Sequence, residues 1–195
     1  MKKIILILLV TLSFASCTNY NVDLNVNSKN NMEKKANKVY LINANFSQTN
    51  SSYYENEIKK AFISKGLEIV NEPSKSELLV FYTYGMTEPF QKTVFLDGGD
   101  CVGSGGGTKK VIAYYNYISF TGIETKTYKP NDKIKPVVKS YVSYYSATPK
   151  FKTIFPALLK AITPYLGKDL DEPITITTLV GEEDKKEEPK SEPKK

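Results

Sequence analysis

The sequence contains no histidine, no tryptophan and only two cysteines among its 195 residues. Without histidine, the chain cannot build Ser/His or Cys/His nucleophilic pairs, and it lacks the commonest metal ligand in proteins. The net charge of +6 comes largely from lysines spread singly along the chain, with no concentrated basic patch inside a nucleic-acid-binding module. We therefore expect no nucleic acid partner, no metal and no other cofactor.

The N-terminus has the three parts of a secretory signal. These are the basic pair Lys2-Lys3, the apolar run of residues 4–12, and the small residues Ala15-Ser16 before Cys17. The apolar run is about half the length of roughly twenty residues that a membrane-spanning helix needs. These features predict that residues 1–16 are an export signal and not a permanent membrane span.

The segment Phe14-Ala15-Ser16-Cys17 resembles the lipobox of bacterial lipoproteins, although Phe14 stands where the family usually has leucine. The resemblance implies cleavage before Cys17 and its acylation by chains such as palmitate. Two or three chains would hold the protein stably, because each buried methylene contributes about 0.8 kcal/mol. Thr18 then implies the outer membrane of a two-membrane bacterium, facing the periplasm. The alternative is an ordinary secretory signal that leaves Cys17 as a thiol.

Acylation of Cys17 would leave Cys101 without a partner in the chain, so Cys101 is predicted to be an incidental thiol or half of an intermolecular disulfide. It lies in a glycine-rich loop at 97–107. A phosphate-binding loop is not predicted, because Thr108 precedes Lys109 and a strand follows. The two remaining interpretations of this loop are a flexible connection between strands and a segment that becomes ordered when it binds a partner. Asp97 and Asp100 offer too few oxygens for calcium.

The remaining chain divides into a tether, one domain and a tail. Residues 17–37 are predicted to be the lipidated cysteine and a flexible tether, although Val22, Leu24 and Val26 alternate with polar residues and could form a short strand. Residues 38–180 are predicted to form a single domain. Residues 181–195 are mostly Glu, Lys, Pro and Ser, and are predicted to be disordered.

Within the domain, hydrophobic periodicity predicts six strands and two helices: strands 38–43, 67–71, 78–84, 93–96, 110–120 and 136–145, and helices 52–65 and 151–166. A capping-box pair, Ser52 and Glu55, marks the start of the first helix, while Gly66 and Gly167 follow the two helix ends. This order predicts an α+β fold, a two-layer α/β sandwich. Its mixed or antiparallel sheet would have five to six strands, with both helices on one face.

The domain also resembles the DUF4136-like bacterial lipoproteins over about residues 38–167. The matching pieces are Lys65-Gly66 at a helix end, the strand start Glu77-Leu78-Leu79-Val80, and the late helix 151–166. Glu77 replaces the usual aspartate, and the usual tryptophan of the late strand is absent. The family has no established activity, so the resemblance implies a fold and a lipoprotein class only.

Tyrosine is the most abundant aromatic residue, with fourteen copies. Three pairs each share one face of a predicted strand: Tyr82 with Tyr84, Tyr115 with Tyr117, and Tyr141 with Tyr145. If these faces coincide, they form an aromatic surface that could stack on sugars or receive a protein. The alternative is that they fill half-buried strand positions.

We expect a membrane-anchored envelope lipoprotein with a non-enzymatic binding or assembly role and an envelope protein or glycan as its partner. One alternative is a glycan hydrolase with acidic catalysts, but Asp97, Asp100, Glu124 and Asp132 lie in predicted loops with nothing to pair them. Another alternative is a carrier of lipid or glycan, which would need an apolar cavity between sheet and helices.

Overall fold

A computed structural model describes residues 20–45, 52–96, 107–129 and 135–181, without the side chains of residues 95, 96 and 107. Three short 3₁₀ turns join its elements, at Pro73–Lys75, Thr125–Thr127 and Thr163–Tyr165. The elements are β1 Tyr20–Asn30, β2 Lys38–Asn43, α1 Ser52–Ser64, β3 Glu68–Ile69, β4 Leu78–Met86, β5 Phe90–Leu96, β6 Gly107–Glu124, β7 Val138–Ser146, α2 Phe151–Ile162 and β8 Ile174–Val180.

The eight strands form one mixed sheet in the order β3-β2-β4-β6-β7-β1-β8, and β5 pairs with the first part of β6. Strand β2 is parallel to β3 and β4, while the other neighbours are antiparallel. Both helices pack on the same face of the sheet, which we call the inner face; the opposite one is the outer face. The predicted α+β sandwich is confirmed, with more strands than the five to six expected.

The core lies between the inner face and the helices. Helix α2 presents Ile154, Phe155, Leu158 and Ile162, all with no exposed surface, at the spacing of one helical face. Helix α1 presents Ile58 and Phe62, and the Phe62 ring lies 5.2 Å from that of Phe120 on β6. Since both apolar stripes meet the same sheet face, burial of that face determines the placement of both helices.

The tether expected at 17–37 is wrong for most of its length, because residues 20–30 form β1 between β7 and β8. Val22, Leu24 and Val26 face the helices and are at most 2% exposed. The polar residues between them face outward, so β1 is a half-buried strand of period two. The low apolar content of residues 17–37 favours a tether, whereas the alternation of Val22, Leu24 and Val26 with polar residues indicates this strand. The domain therefore begins at Tyr20 and not at Lys38.

Strand β8 was not predicted either. Its sequence, Ile-Thr-Ile-Thr-Thr-Leu-Val, is rich in β-branched residues that favour strands. It pairs along seven residues of β1, from Tyr20 opposite Val180 to Val26 opposite Ile174. Strand β1 thus pairs with β8 over Tyr20–Val26 and with β7 over Asn25–Asn30, and β8 takes the edge of the sheet.

Strand β6 has 18 residues and is longer than the predicted 110–120. Its later part lies between β4 and β7, and the last pair with β7 is Tyr114 opposite Ser146. The preceding residues pair with β5, from Phe90 opposite Ala113 to Leu96 opposite Gly107. This two-stranded ribbon, residues 90–96 and 107–113, is called the arm. It continues about 23 Å past the end of β7, at about 3.3 Å per residue.

Replacing Leu24 tests whether β1 belongs to the core. Leu24→Ala should lower the free energy of unfolding by about 2–5 kcal/mol, because it leaves a cavity under the helices. Asn21→Ala, on the exposed outer face of the same strand, should cost about 0.5 kcal/mol or less. Urea unfolding followed by circular dichroism measures both. A neutral Leu24→Ala would restore the tether interpretation.

Candidate functional site: a lysine-rimmed pocket and a tyrosine face

A pocket of about 310 Å³ lies between the inner face of the sheet, the C-terminal end of α1 and the turn that follows α2. This volume is at the lower end of the range of about 300–1,000 Å³ for ligand sites. Most of its wall is apolar, and three lysines lie among its lining residues. The apolar residues are Met32, Ala36, Val39, Phe62, Leu67, Leu78, Val80, Phe120, Val138 and Leu166, and the lysines are Lys35, Lys65 and Lys168.

Gly122 on β6 keeps the sheet side of the pocket open. A Cβ atom at this position would lie 3.0 Å from Cβ of Val138 and 3.1 Å from Cδ2 of Leu78. Those distances are shorter than ordinary van der Waals contact, so a larger residue would push Val138 and Leu78 apart. The wall at this point is therefore formed by neighbouring aliphatic side chains and bare backbone.

Hydrogen bonds hold the turn that carries Lys168 against the end of β1. The Ser28 hydroxyl oxygen lies 2.9 Å from the carbonyl oxygens of Tyr165 and Lys168, and 2.8 Å from the Ser140 hydroxyl. The Asn30 amide donates to the carbonyl of Gly167 at 2.6 Å. Ser28 and Ser140 are both 1% exposed, so these bonds satisfy polar groups that water cannot reach.

The segment that carries Lys35 is held by Glu77. The Glu77 carboxylate accepts hydrogen bonds from the backbone N–H of Asn37 at 2.6 Å and of Lys38 at 3.4 Å. These two bonds are the main reason that the pKa of Glu77 lies below its ordinary value. Residue 77 thus fastens the start of β2 to the start of β4, beside the pocket wall.

The described residues that line the pocket carry charge of one sign only. Among the residues that the structure describes, no Asp or Glu lines it. Among residues 20–45, 52–96, 107–129 and 135–181, none forms an ion pair with Lys35, Lys65 or Lys168. The Lys168 ammonium lies 5.6 Å from the centre of the Tyr165 ring. An apolar interior with a positive rim is suited to a molecule with an apolar body and an anionic head.

The six tyrosines proposed as one face are divided between the two sides of the sheet. Tyr82 and Tyr84 lie on the inner face, 4% and 2% exposed, and the Tyr84 ring packs 5.1 Å from that of Tyr54 on α1. Burial is the main cause that raises the pKa of both hydroxyls above the ordinary value. These two are core residues, so the expected six-residue face is wrong at Tyr82 and Tyr84. Alternation along one strand shows which residues share a face of that strand. It does not show which faces of different strands lie on the same side of the sheet.

The other four, Tyr115, Tyr117, Tyr141 and Tyr145, do lie together on the outer face and form what we call the tyrosine face. The Tyr115 ring is central: its centre lies 4.9 Å from that of Tyr145 and 6.2 Å from those of Tyr117 and Tyr141. Burial raises the pKa of Tyr115, although a hydrogen bond with Ser143 opposes this. Tyr145 is 45% exposed.

The tyrosine face continues onto the arm. The Phe90 ring, 36% exposed, lies 6.0 Å from the Tyr145 ring in an edge-on arrangement. The Lys92 ammonium lies 3.8 Å from the centre of the same tyrosine ring, within cation–π distance. The arm and the tyrosine face thus form one surface of aromatic rings and a cation.

Of the four candidate acids, only Glu124 lies in the part of the chain that the structure describes. Glu124 ends β6, with an oxygen 3.2 Å from the Lys126 ammonium. A second groove, of about 400 Å³ between the helices, has one carboxylate, Glu57, at 2.6 Å from Lys60. The described part of the chain has no group of three or more His, Cys, Asp or Glu residues placed to hold a metal.

Several predicted sites lie outside the described residues. These are Cys17, Cys101, Asp97, Asp100, Asp132, most of the glycine-rich loop and nearly all of the charged tail. Within the described residues, every helix is too short or too polar to cross a membrane.

The pocket lysines were not singled out from the sequence. Lys65 lies just before the helix stop Gly66, but Lys35 and Lys168 lie in connecting segments far away in the chain. Nothing local distinguishes them from other surface lysines. Only the sheet order brings these three segments to one opening.

No protein-family model matches the chain, and no curated protein matches it. The resemblance to DUF4136-like lipoproteins therefore rests on the residues quoted for it.

Solved structures share a distant likeness. A PelC dodecamer from Paraburkholderia phytofirmans is 9% identical with a TM-score of 0.43, over 74% of this chain and 99% of that one. A PDZ domain protein from Parabacteroides distasonis is 8% identical with a TM-score of 0.46, over 86% and 41%. A minor lipoprotein from Acinetobacter baumannii is 13% identical with a TM-score of 0.31, over 67% and 90%. With such TM-scores, these likenesses carry no argument about function.

Proposed function

We propose that the protein is a lipid-anchored envelope protein that acts by binding, and that its pocket holds a small amphiphile with an apolar body and an anionic head. The observation that supports this proposal is the apolar pocket with Lys35, Lys65 and Lys168 among its lining residues and no carboxylate. Of the functions expected from the sequence, the carrier alternative is the one that needed a cavity between sheet and helices. We therefore prefer it to the hydrolase.

Simple energetics favour a ligand with one short chain. Burial of a methylene group contributes about 0.8 kcal/mol, so eight of them would supply about 6 kcal/mol before the cost of association is subtracted. The volume of about 310 Å³ suits a single short chain and not a two-chain lipid. The lysines would orient the head at the opening, since exposed charges add modestly to affinity but strongly to selectivity.

The anchor is part of the proposal. The signal-like N-terminus and the lipobox-like residues 14–17 support acylation of Cys17 and attachment to the outer membrane on its periplasmic side. The fold supports no role for residues 20–30 as a spacer, because they belong to the sheet.

A second candidate is recognition of an envelope glycan or protein by the tyrosine face. The exposed Tyr145 ring, with Lys92 above it and Phe90 beside it, favours such contact. It ranks second because Tyr115, Tyr117 and Tyr141 are half-buried and offer less surface.

Removing the positive lining charges should weaken binding of an anionic amphiphile. We expect the triple variant Lys35→Gln, Lys65→Gln and Lys168→Gln to bind laurate about tenfold more weakly than the wild type, because the carboxylate loses its cations. Isothermal titration calorimetry measures the affinity. Dodecanol, which has the same chain without the charge, should bind both proteins equally.

The control is Lys59→Gln, Lys75→Gln and Lys152→Gln, which removes the same charge from lysines that do not line the pocket. Its laurate affinity should equal that of the wild type. Absence of laurate binding, or equal weakening by both triple variants, would contradict the proposed ligand class.

The anchor is tested by fractionation. The Cys17→Ala variant should move from the membrane fraction to the soluble fraction after a high-salt wash, because salt screens charge contacts but leaves acyl chains inserted. Cys101→Ala, which removes the other cysteine, should stay in the membrane. If Cys17→Ala also stays there, the lipidation proposal fails.

A further inference from the structure

We propose that the arm, residues 90–96 and 107–113, contacts the membrane surface, so that the domain is attached by the acylated Cys17 and by this ribbon together. The inference rests on the proposed acylation of Cys17. It adds a protein surface, an orientation and a kind of partner, a lipid surface with anionic headgroups.

The chain between Cys17 and the sheet is short. Strand β1 begins at Tyr20, so only Thr18 and Asn19 separate it from Cys17. Three residue steps reach at most about 11 Å when fully extended. The start of β1 must therefore lie within that distance of the lipid attachment point, well short of the separation that a twenty-residue tether would allow.

The strand register places the arm at this same end of the sheet. On β7, Ser143 lies opposite Asn25 of β1 on one side and opposite Tyr117 of β6 on the other. Continuing this register five residues beyond the last β1–β7 pair brings Tyr20 level with Ile112. From that level the arm continues to the pair Leu96–Gly107, which is about 17 Å further on. The arm therefore extends past Tyr20 by more than the distance within which the lipid attachment point must lie.

The composition of the arm suits an anionic lipid surface. The arm has three basic residues, Lys92, Lys109 and Lys110, and no acidic residue. Its apolar residues include two with unusual exposure, Ile112 at 51% and Phe90 at 36%. Exposed apolar side chains among lysines are typical of segments that lie in the headgroup region of anionic membranes.

The N-terminus of α2, which lies at this end, is also basic. Helix α2 follows β7 here; Lys150 is its N-cap residue, Lys152 lies in its first turn, and that turn has no acid. Cations at a helix N-terminus oppose the helix dipole, so they do not stabilise the helix. The Lys150 ammonium lies 5.3 Å from the Tyr20 ring, next to the start of β1. Anionic headgroups would complement these charges.

The lysine-rimmed pocket lies at the other end of the sheet. Asn30, which lines it, is ten residues along β1 from Tyr20, or about 33 Å. With the arm on the membrane, the pocket would open away from the lipid surface. A ligand could then be exchanged with the aqueous space or a second partner without detachment of the domain.

The test uses the absence of tryptophan, since one introduced tryptophan is then the only indole in the chain. Ile112→Trp places it on the arm. Ile63→Trp is the matched control, because Ile63 is similarly exposed, at 59%, near the end of α1 on the pocket side. The full acylated chains are reconstituted into phosphatidylglycerol-containing vesicles with brominated phospholipid, which quenches indole fluorescence at close range.

We expect roughly a twofold loss of emission for Ile112→Trp and almost none for Ile63→Trp, because indole at the interface lies beside the brominated chains. Equal quenching of the two, or no quenching of Ile112→Trp in protein that floats with the vesicles, would overturn the orientation. Failure of the acylated chain to float would overturn the anchor of the proposed function instead, so the two failures are distinguishable.

Discussion

The pairing of β1 between β7 and β8 is the constraint on which the rest of the structure depends. It buries Val22, Leu24 and Val26 under the helices and brings the N-terminal part of the domain together with its last strand. Since this strand begins three residues after Cys17, the position of one strand determines both the stability of the sheet and the closeness of the domain to any lipid on that cysteine.

The same pairing gives the domain two chemically different ends. At one end lie the start of β1, the end of β8, the N-terminus of α2 and the arm, with exposed apolar residues among lysines. At the other end, the segments around Lys35, Lys65 and Lys168 surround an apolar pocket. Both ends combine apolar surface with positive charge, so both proposals involve amphiphiles with anionic heads: a membrane at one end and a small ligand at the other.

Local patterns were sufficient for much of the fold. The predicted strand 38–43 coincides with β2, and the predicted helices begin at the residues observed, because their apolar stripes are strongly periodic. Strand β1 was expected only as an alternative to a tether, because polar residues outnumber apolar ones in residues 17–37, and β8 was not predicted although its residues favour strands. Strand pairing also decided the sites: it buried Tyr82 and Tyr84, kept the other four tyrosines together, and assembled three distant lysines at one pocket.

Hydrogen exchange measured by mass spectrometry on the mature chain tests the central claim, that the segment next to the anchor is a core strand, most directly. Amides of residues 20–30 should exchange far more slowly than those of an unstructured chain, because β1 pairs with β8 over residues 20–26 and with β7 over residues 25–30. Exchange of residues 20–30 at the rate of an unstructured chain, while β7 stays protected, would contradict the account.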